Sequence, residues 1–244
     1  MDIAMPIIFG LSILVIAVIY YFTMQRNKRH LAQLQLIAAH YGQQVLKQKY
    51  KKGIFIPKVQ QVAGKLDGYE SKLYGYVVSA GNSYVQMTAF EMEIPFLKDL
   101  NLLIGKENLL TNAFKNIAGE GFVTRDDAFD HVFKIRTNKS LLIKQLLSDE
   151  SLREKMMEKG PLVKGRFIIK GNKLRYEEAY SIEKDKHRLK FQEIIDLSRL
   201  LVAALKSHLV EDVDKIEQIE IKDLNTKEEK LPEILDNENN FMEK

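Results

Sequence analysis

Residues 3–25 form a run of 23 uncharged amino acids, twelve of which are Ile, Leu, Val or Phe. As an α-helix with about 1.5 Å of rise per residue, the run measures about 34 Å and can cross a hydrocarbon core of about 30 Å. Tyr20 and Tyr21 fall where such a helix leaves the core, a depth that favours amphipathic rings. The run therefore predicts a transmembrane anchor at residues 1–25.

Two other classes of segment compete with this interpretation. A cleaved signal peptide has a Lys- or Arg-containing start and a small-residue cleavage site, whereas this run is preceded only by Asp2 and ends in Tyr-Tyr-Phe-Thr-Met-Gln. A buried core helix is the other alternative, but 23 uncharged residues at one terminus are atypical of it. We favour the retained anchor.

The segment that follows, from Arg26 to Leu66, contains nine Lys or Arg and no Asp or Glu. Arg26, Lys28 and Arg29 flank the predicted span directly. Because Lys and Arg next to a span stay on the cytoplasmic side, the pattern predicts a single-pass membrane protein. Its amino terminus is expected outside and its carboxy-terminal domain in the cytoplasm.

The second part of the basic segment has two interpretations. In one, the bases only fix topology, and this is the interpretation we favour. In the other, Lys47, Lys49, Lys51 and Lys52 contact either anionic lipid head groups or the acidic tail of the chain. A contact with head groups contributes about 1 kcal/mol per lysine near the membrane surface. We assign residues 26–58 to a basic juxtamembrane helix and linker.

The chain lacks cysteine and has a basic body followed by an acidic tail. There is no Cys, which removes disulfides and thiolate metal sites and fits a reducing compartment. Residues 211–244 hold twelve acids and five bases, so with a whole-chain charge of +4 the preceding residues carry +11. Few aromatics and many charges predict a disordered acidic tail at residues 210–244, which could fold back onto the basic segment.

The order of periodic segments predicts an α+β domain at residues 59–209. Leu31, Leu34, Ala38, Tyr41 and Val45 form a heptad-like stripe on a helix that continues the anchor and ends near Gly42. The stripe is expected to pack on the domain, and dimerisation through it stays open. Strands are predicted around two turns, Asp67-Gly68 and Gly81-Asn82.

Further elements complete the predicted fold. Residues 102–118 have a plausible helix face, and residues 124–135 predict a short Asp-capped helix that runs into a strand. Two short helices at 139–147 and 149–159, a hairpin around Gly171-Asn172 and a long helix at 186–208 follow. The predicted architecture is a mostly antiparallel sheet with helices packed on one face.

Two segments carry a resemblance to a known family. Residues 62–69, Val-Ala-Gly-Lys-Leu-Asp-Gly-Tyr, resemble a V-x-G-x-y-x-G hairpin, and residues 126–135 are similar to a D-x-x-F-D-x-x-F-x-V element, with Ile135 in place of the final Val. Both occur in uncharacterised bacterial single-pass membrane proteins that carry a cytoplasmic domain of unknown function. The resemblance implies an anchor and a fold, and it implies no activity.

The densest cluster of acids with a histidine is Asp126, Asp127, Asp130 and His131. Helix capping with a surface histidine is the interpretation we prefer over a metal site, which needs ligands from at least one further segment. No Ser lies in a G-x-S-x-G turn, and phosphate-loop and dinucleotide motifs are missing from the sequence. We therefore expect no cofactor and no bound metal.

A pair of glutamates and a set of tyrosines are two smaller candidate groups. Glu177 and Glu178 are expected on the solvated face of an edge strand and not as an acid–base pair. Tyr74, Tyr76 and Tyr84 could stack on bases between lysines, but cross-strand packing is preferred, so nucleic acid is not an expected partner.

The sequence thus favours a non-enzymatic, membrane-anchored binding or scaffolding module. Its expected partners are the lipid bilayer and a protein or a second copy of the chain. The alternatives are a membrane-tethered metal-dependent hydrolase using Asp127, Asp130 and His131, and a tethered binder of nucleic acid or anionic lipid.

Overall fold

The computed structural model describes residues 4–47, 60–81, 83–106 and 120–228 and has an α+β architecture, as predicted. The described helices and strands are α1 (Ala4–His40), β1 (Gln44–Lys47), β2 (Gln60–Leu66), β3 (Tyr69–Ala80), β4 (Ser83–Glu93), a 3₁₀ turn (Pro95–Leu97), β5 (Leu102–Gly105), β6 (Glu120–Phe122), α2 (Asp127–Val132), β7 (Lys134–Thr137), α3 (Ser140–Ser148), α4 (Glu150–Lys159), β8 (Arg166–Lys170), β9 (Lys173–Glu178) and α5 (Asp185–Glu228).

The nine described strands form one antiparallel sheet in the order β1-β2-β3-β4-β9-β8-β5-β7-β6. The three predicted hairpins are confirmed. Asp67 and Gly68 both have positive φ, 51° and 85°, which suits the two-residue turn between β2 and β3. Gly81 and Gly171 take positive φ in the other two turns.

Side chains alternate strictly across this sheet, so its two faces differ in character. One face is apolar and lies under the helices, which contribute the rest of the core. Phe90 of β4, Tyr176 of β9 and Phe167 of β8 occupy one row of this face and are at most 1 % exposed. Residues of the opposite parity, such as Lys72, Glu91 and Arg175, lie on the other face. No described helix covers this face, and we call it the uncovered face.

Helix α1 joins two different environments. Residues 9–24 are exposed although most are apolar, and within the described part of the chain this is the one helix long and apolar enough to cross a membrane. Further along the same helix, Leu34, Ile37 and Ala38 are buried in the core of the domain. The predicted packing of the stripe is confirmed for Leu34 and Ala38.

The end of α1 corrects part of the predicted linker. The helix stops at His40, and Gly42, at φ +64°, turns the chain. Val45 therefore lies in β1 and not on the helix. Since β1 pairs with β2, residues 44–47 belong to the sheet, whereas the sequence placed them in the linker at residues 26–58.

Two other segments differ from their predictions. Residues 102–105 form strand β5, where a helix was expected, because they pair with β7 on one side and β8 on the other and bury Leu102 and Ile104 in the core. The rest of the predicted helix, residues 107–119, lies outside the described residues. Helix α5 runs past His208 to Glu228, through the first part of the segment predicted to be disordered. Residues 211–228 contain no Gly or Pro that would end the helix.

Candidate functional site on the uncovered face of the sheet

The uncovered face carries two rows of charged and aromatic side chains. The strand register aligns Lys72 of β3, Glu91 of β4 and Arg175 of β9 in one row. In the next row, Ala89 of β4 separates Tyr74 of β3 from Glu177 of β9. Because Ala89 is small, the longer side chains around it can meet above the sheet.

Direct polar contacts connect these rows. Lys72 Nζ lies 2.9 Å from Glu91 Oε2, and the Tyr74 hydroxyl donates a hydrogen bond to the same carboxylate. The Tyr76 hydroxyl donates to Glu177 Oε2 at 2.7 Å. We call the seven side chains that meet here the surface network: Lys72, Tyr74, Tyr76, Glu91, Arg166, Arg175 and Glu177.

Glu177 is the centre of the surface network. Arg175 Nη2 lies 2.9 Å from Glu177 Oε2, and Arg166 Nε donates to Glu177 Oε1 at 2.8 Å. Burial raises the pKa of Glu177, but the hydrogen bonds from Tyr76 and Arg166 and the charge of Arg175 outweigh it and hold that pKa below its ordinary value. The carboxylate is thus ionised and held in one position.

The expectation that Glu177 and Glu178 lie on a solvated edge strand is wrong. β9 is an interior strand, between β4 and β8, and the two residues are only 6 % and 4 % exposed. They point to opposite faces of the sheet because they are adjacent in the strand. The alternation of Lys173, Arg175 and Glu177 with Leu174 and Tyr176 is the sequence signal that could have revealed an interior strand with one charged face.

The uncovered face as a whole is basic. By strand parity it carries four acidic side chains and eight basic ones. The acids are Glu70, Glu91, Glu93 and Glu177, and the bases are Lys65, Lys72, Lys134, Arg136, Arg166, Lys170, Lys173 and Arg175. Such a surface attracts acidic partners and repels other basic surfaces.

Glu178 belongs to a second, buried cluster under the helices. The Tyr176 hydroxyl donates to Glu178 Oε2 at 2.5 Å and accepts a hydrogen bond from the Gly165 amide at 3.0 Å. Lys190 of α5 forms an ion pair with Glu178 and lies 4.8 Å from the centroid of the Tyr180 ring. Burial lowers the pKa of Lys190, and Glu178 opposes that shift.

A cleft of about 240 Å³ opens near the end of β9 and is lined by both Glu177 and Glu178. Met87, Lys164, Gly165, Arg166, Ala179 and Tyr180 complete its lining. Both carboxylates are already bonded to basic and phenolic groups. In an acid–base pair one carboxyl group stays free to exchange a proton. Glu177 and Glu178 are instead both held by fixed hydrogen bonds and ion pairs.

The Asp126–His131 cluster is used for capping. Asp126 is the N-cap of α2 and accepts from the Phe129 amide at 3.1 Å, as predicted. Asp130 accepts from the Thr124 amide and hydroxyl at 3.1 and 2.9 Å, while Asp127 and His131 are exposed. Among the described residues no three His, Asp or Glu side chains converge in a way that could hold a metal ion.

The predicted membrane-flanking residues lie on α1. Arg26 bonds Glu183, and its Nη2 donates to Gln86 Oε1 at 2.9 Å, so it contacts the domain as well as following the apolar segment. Lys28 and Arg29 are exposed.

The later lysines are less fully described. Lys47 is exposed on β1. The predicted contacts of Lys49, Lys51 and Lys52 with lipid or tail fall on residues outside the described ranges.

The three tyrosines weighed for base stacking are separated by the fold. Tyr74 and Tyr76 lie on the uncovered face with ring centroids 5.9 Å apart and with their hydroxyls bonded to Glu91 and Glu177. The ring contact lies within β3, and the contacts that cross strands are the hydroxyl bonds to Glu91 of β4 and Glu177 of β9. Tyr84 lies apart from them near the β3–β4 turn, 81 % exposed.

Comparisons with known proteins returned no matching family model, no matching curated protein and no matching solved structure. The resemblance stated from residues 62–69 and 126–135 therefore stays a prediction.

Proposed function

We propose that the protein is a single-pass anchor of the bacterial inner membrane that holds a non-enzymatic binding or scaffolding module at the cytoplasmic surface. In this proposal the anchor at residues 1–25 spans the bilayer and Arg26, Lys28 and Arg29 mark the cytoplasmic side. The basic uncovered face of the sheet is then the surface that binds a protein partner of acidic character.

The continuity of α1 is the observation that carries the proposal. An exposed apolar segment and three residues buried in the domain core, Leu34, Ile37 and Ala38, lie on one helix without a break. A flexible linker lets a domain drift from its anchor, whereas a continuous helix holds it at a fixed height. This arrangement suits a module that presents one surface in a fixed orientation.

The orientation can be tested with single cysteines because the chain contains none. We expect Asp2→Cys to react with a membrane-impermeant maleimide in intact spheroplasts, and Lys170→Cys to react only after the membrane is opened. Reaction of Lys170→Cys in intact spheroplasts, or release of the protein by carbonate washing, would contradict the proposed topology.

The choice of the uncovered face as the binding surface has two supports. Its eight bases outnumber its four acids, and the buried carboxylates of Glu91 and Glu177 hold three of the bases, Lys72, Arg166 and Arg175, in fixed positions. Preorganised charges cost less conformational entropy on binding than mobile surface lysines do. The opposite face is already covered by helices.

Site-specific photocrosslinking tests this surface. A photoreactive residue at Lys134, on the uncovered face, should give an adduct in native membranes that weakens when Arg136 is changed to Glu. The same group at Lys144, exposed on α3, is the matched control and should give none. Equal adducts at both positions, or adducts unaffected by Arg136→Glu, would count against the uncovered face.

A further inference from the structure

We propose that the cleft at the end of β9 binds the phosphate of an anionic lipid head group at the membrane surface. A phosphate ester in solution offers the same chemistry, and titration with lipid and with free phosphate distinguishes the two. The choice of lipid as the source rests on the proposed membrane anchor, whereas the phosphate site rests on the cleft itself.

Basic side chains outnumber acidic ones around the cleft. Lys164 and Arg166 are among its lining residues, and Lys190 lies beside it because it forms an ion pair with the lining residue Glu178. Burial lowers the pKa of Lys190, and the positive charges of Lys164 and Lys106 lower it further, so the three lysines form one cluster. With Arg166 they make four bases against the two lining carboxylates, a net charge of +2.

Lys164 is the base of this cluster that is available to a ligand. The two lining carboxylates, Glu177 and Glu178, are already held by arginine and lysine side chains of the protein. Lys164 is exposed, and its ammonium group forms no ion pair with a described residue. Its three N–H donors can therefore all turn towards an anion in the cleft.

The size and walls of the cleft suit a compact anionic group. Its volume of about 240 Å³ lies below the range of about 300–1,000 Å³ typical of sites for drug-sized ligands. Met87 and Tyr180 contribute apolar and aromatic surface to the lining. The Tyr180 ring is held in place, with its centroid 4.5 Å from that of His187 and 4.8 Å from Lys190 Nζ. Apolar surface next to bases can accommodate the glycerol that adjoins a lipid phosphate.

The contacts of α1 put the cleft at the level of the membrane surface. Arg26, which directly follows the proposed span, donates to Gln86 and bonds Glu183. The lining residue Met87 is one residue from Gln86, about 3.3 Å along a strand. The lining residue Tyr180 is three residues from Glu183. A basic cleft at this height meets the head groups of the leaflet, whose anionic lipids attract lysine.

Lys170 is a matched control at the far end of the adjoining strand. It ends β8 and pairs with Lys173 beside the β8–β9 turn. Lys170 is exposed like Lys164, and the six residues that separate them correspond to about 20 Å of extended chain. This separation exceeds the screening length of about 8–10 Å at physiological salt, so a ligand in the cleft should not respond to Lys170.

Thermal unfolding of the full-length protein in detergent micelles tests the site. The Tm is measured while phosphatidylglycerol, phosphatidylcholine or inorganic phosphate is added. A ligand that binds only the folded chain raises the Tm once its concentration exceeds its Kd. The native chain is compared with Lys164→Gln, Lys164→Arg and Lys170→Gln.

We expect phosphatidylglycerol to raise the Tm of the native chain and phosphatidylcholine, whose choline balances the phosphate charge, to leave it unchanged. In Lys164→Gln, the amount of phosphatidylglycerol that gives half of the maximal rise should increase about fivefold, the equivalent of about 1 kcal/mol per lysine. Lys164→Arg keeps the positive charge and should respond like the native chain. Lys170→Gln should do so as well, although it loses the same charge as Lys164→Gln.

An equal response of Lys164→Gln and the native chain to phosphatidylglycerol would overturn the site. So would a Tm that neither phosphatidylglycerol nor inorganic phosphate raises. A rise that depends on Lys164 and occurs with inorganic phosphate alone would support the phosphate site and contradict lipid as its source. The measurement in micelles needs no bilayer, so a failure of the cysteine labelling expected for Asp2→Cys and Lys170→Cys would contradict the anchor alone.

Discussion

Glu177 shows how a single carboxylate can hold three strands together. It receives hydrogen bonds from Tyr76 of β3 and Arg166 of β8 while its own strand, β9, supplies Arg175. Removing its charge leaves the half-buried guanidinium groups of Arg166 and Arg175 without this counter-charge, and an unpaired charge costs more as its burial increases. We expect Glu177→Gln to lower the urea midpoint of unfolding clearly, and the exposed residue change Glu154→Gln to leave it unchanged.

The same residue makes stability depend on acid pH. Because the pKa of Glu177 in the folded protein lies below its ordinary value of 4.5, the unfolded chain binds the proton more readily. The stabilisation is therefore complete at pH values above 4.5 and is lost as the pH falls through the lower, folded-state pKa. Unfolding in urea across this acid range should show a flatter pH dependence for Glu177→Gln than for the native chain. An identical slope for the two would contradict this role.

Phe129 is the residue through which the short helix α2 packs into the core. It is fully buried in α2, with its ring centroid 5.2 Å from that of Phe133. Phe129→Ala leaves a cavity that a six-residue helix cannot collapse to fill, so we expect a loss of about 3–5 kcal/mol in the free energy of unfolding. Leu141→Ala is the control, since Leu141 is 79 % exposed and should change stability by less than about 0.5 kcal/mol. A small effect at Phe129 would mean that α2 packs loosely.

Sequence reasoning succeeded at single residues whose role is local. A short helix capped by an Asp was predicted because a cap is defined by residues within one turn of it, and the structure places that cap at Asp126. Glu177 was misplaced because its partners, Tyr76 and Arg166, are 101 and 11 residues away and meet it only through the strand order. The surface network therefore could not be assembled from residue types alone.

Among the elements, the β2–β3 turn depends most on backbone conformation. Gly68 has φ +85°, and a Cβ built there would meet nothing within 4 Å. We expect Gly68→Val to cost about 1–2 kcal/mol, the cost of a left-handed conformation for a residue with a side chain. Gly121→Val is the control, because a Cβ there also meets nothing while its φ is not positive. Equal losses in chemical unfolding would mean that β-strand packing, and not the turn, decides the cost.

Elements with strong local patterns were predicted well, and those set by distant packing were not. The hairpins around Asp67-Gly68 and Gly171-Asn172 have the turn residues and alternation that specify them. β5 is a short apolar run, Leu-Leu-Ile-Gly, and such a run does not distinguish a strand from a helix by its period. Only its position between β7 and β8 makes it a strand.

On the scale of the molecule, α1 determines how the domain is connected to the exposed apolar segment of the same helix. Its contacts with the rest of the chain begin at Arg26 and continue through His30, whose Nδ1 lies 2.8 Å from the Ile182 carbonyl oxygen, to the buried residues Leu34 and Ile37. These contacts were outside the reach of sequence reasoning because Gln86 and Ile182 are distant in the chain. The continuous helix and its packing on the domain were predicted from the stripe of apolar residues, and the structure adds the partners on the domain, Gln86 and Ile182.

This continuity leads to a prediction for Ala32, which is exposed on α1 between Arg26 and Leu34. Ala32→Pro removes the hydrogen bond to the Lys28 carbonyl and clashes with it, so the helix should break there at a cost of about 3 kcal/mol or more. Ala32→Ser keeps the hydrogen bond and is the control. In vesicles, amide hydrogen exchange of residues 26–33 should become much faster in Ala32→Pro, while β8 and β9 exchange as before. Unchanged exchange in residues 26–33 would mean that contacts with Gln86 and Ile182, and not helix continuity, connect the apolar segment of α1 to the domain.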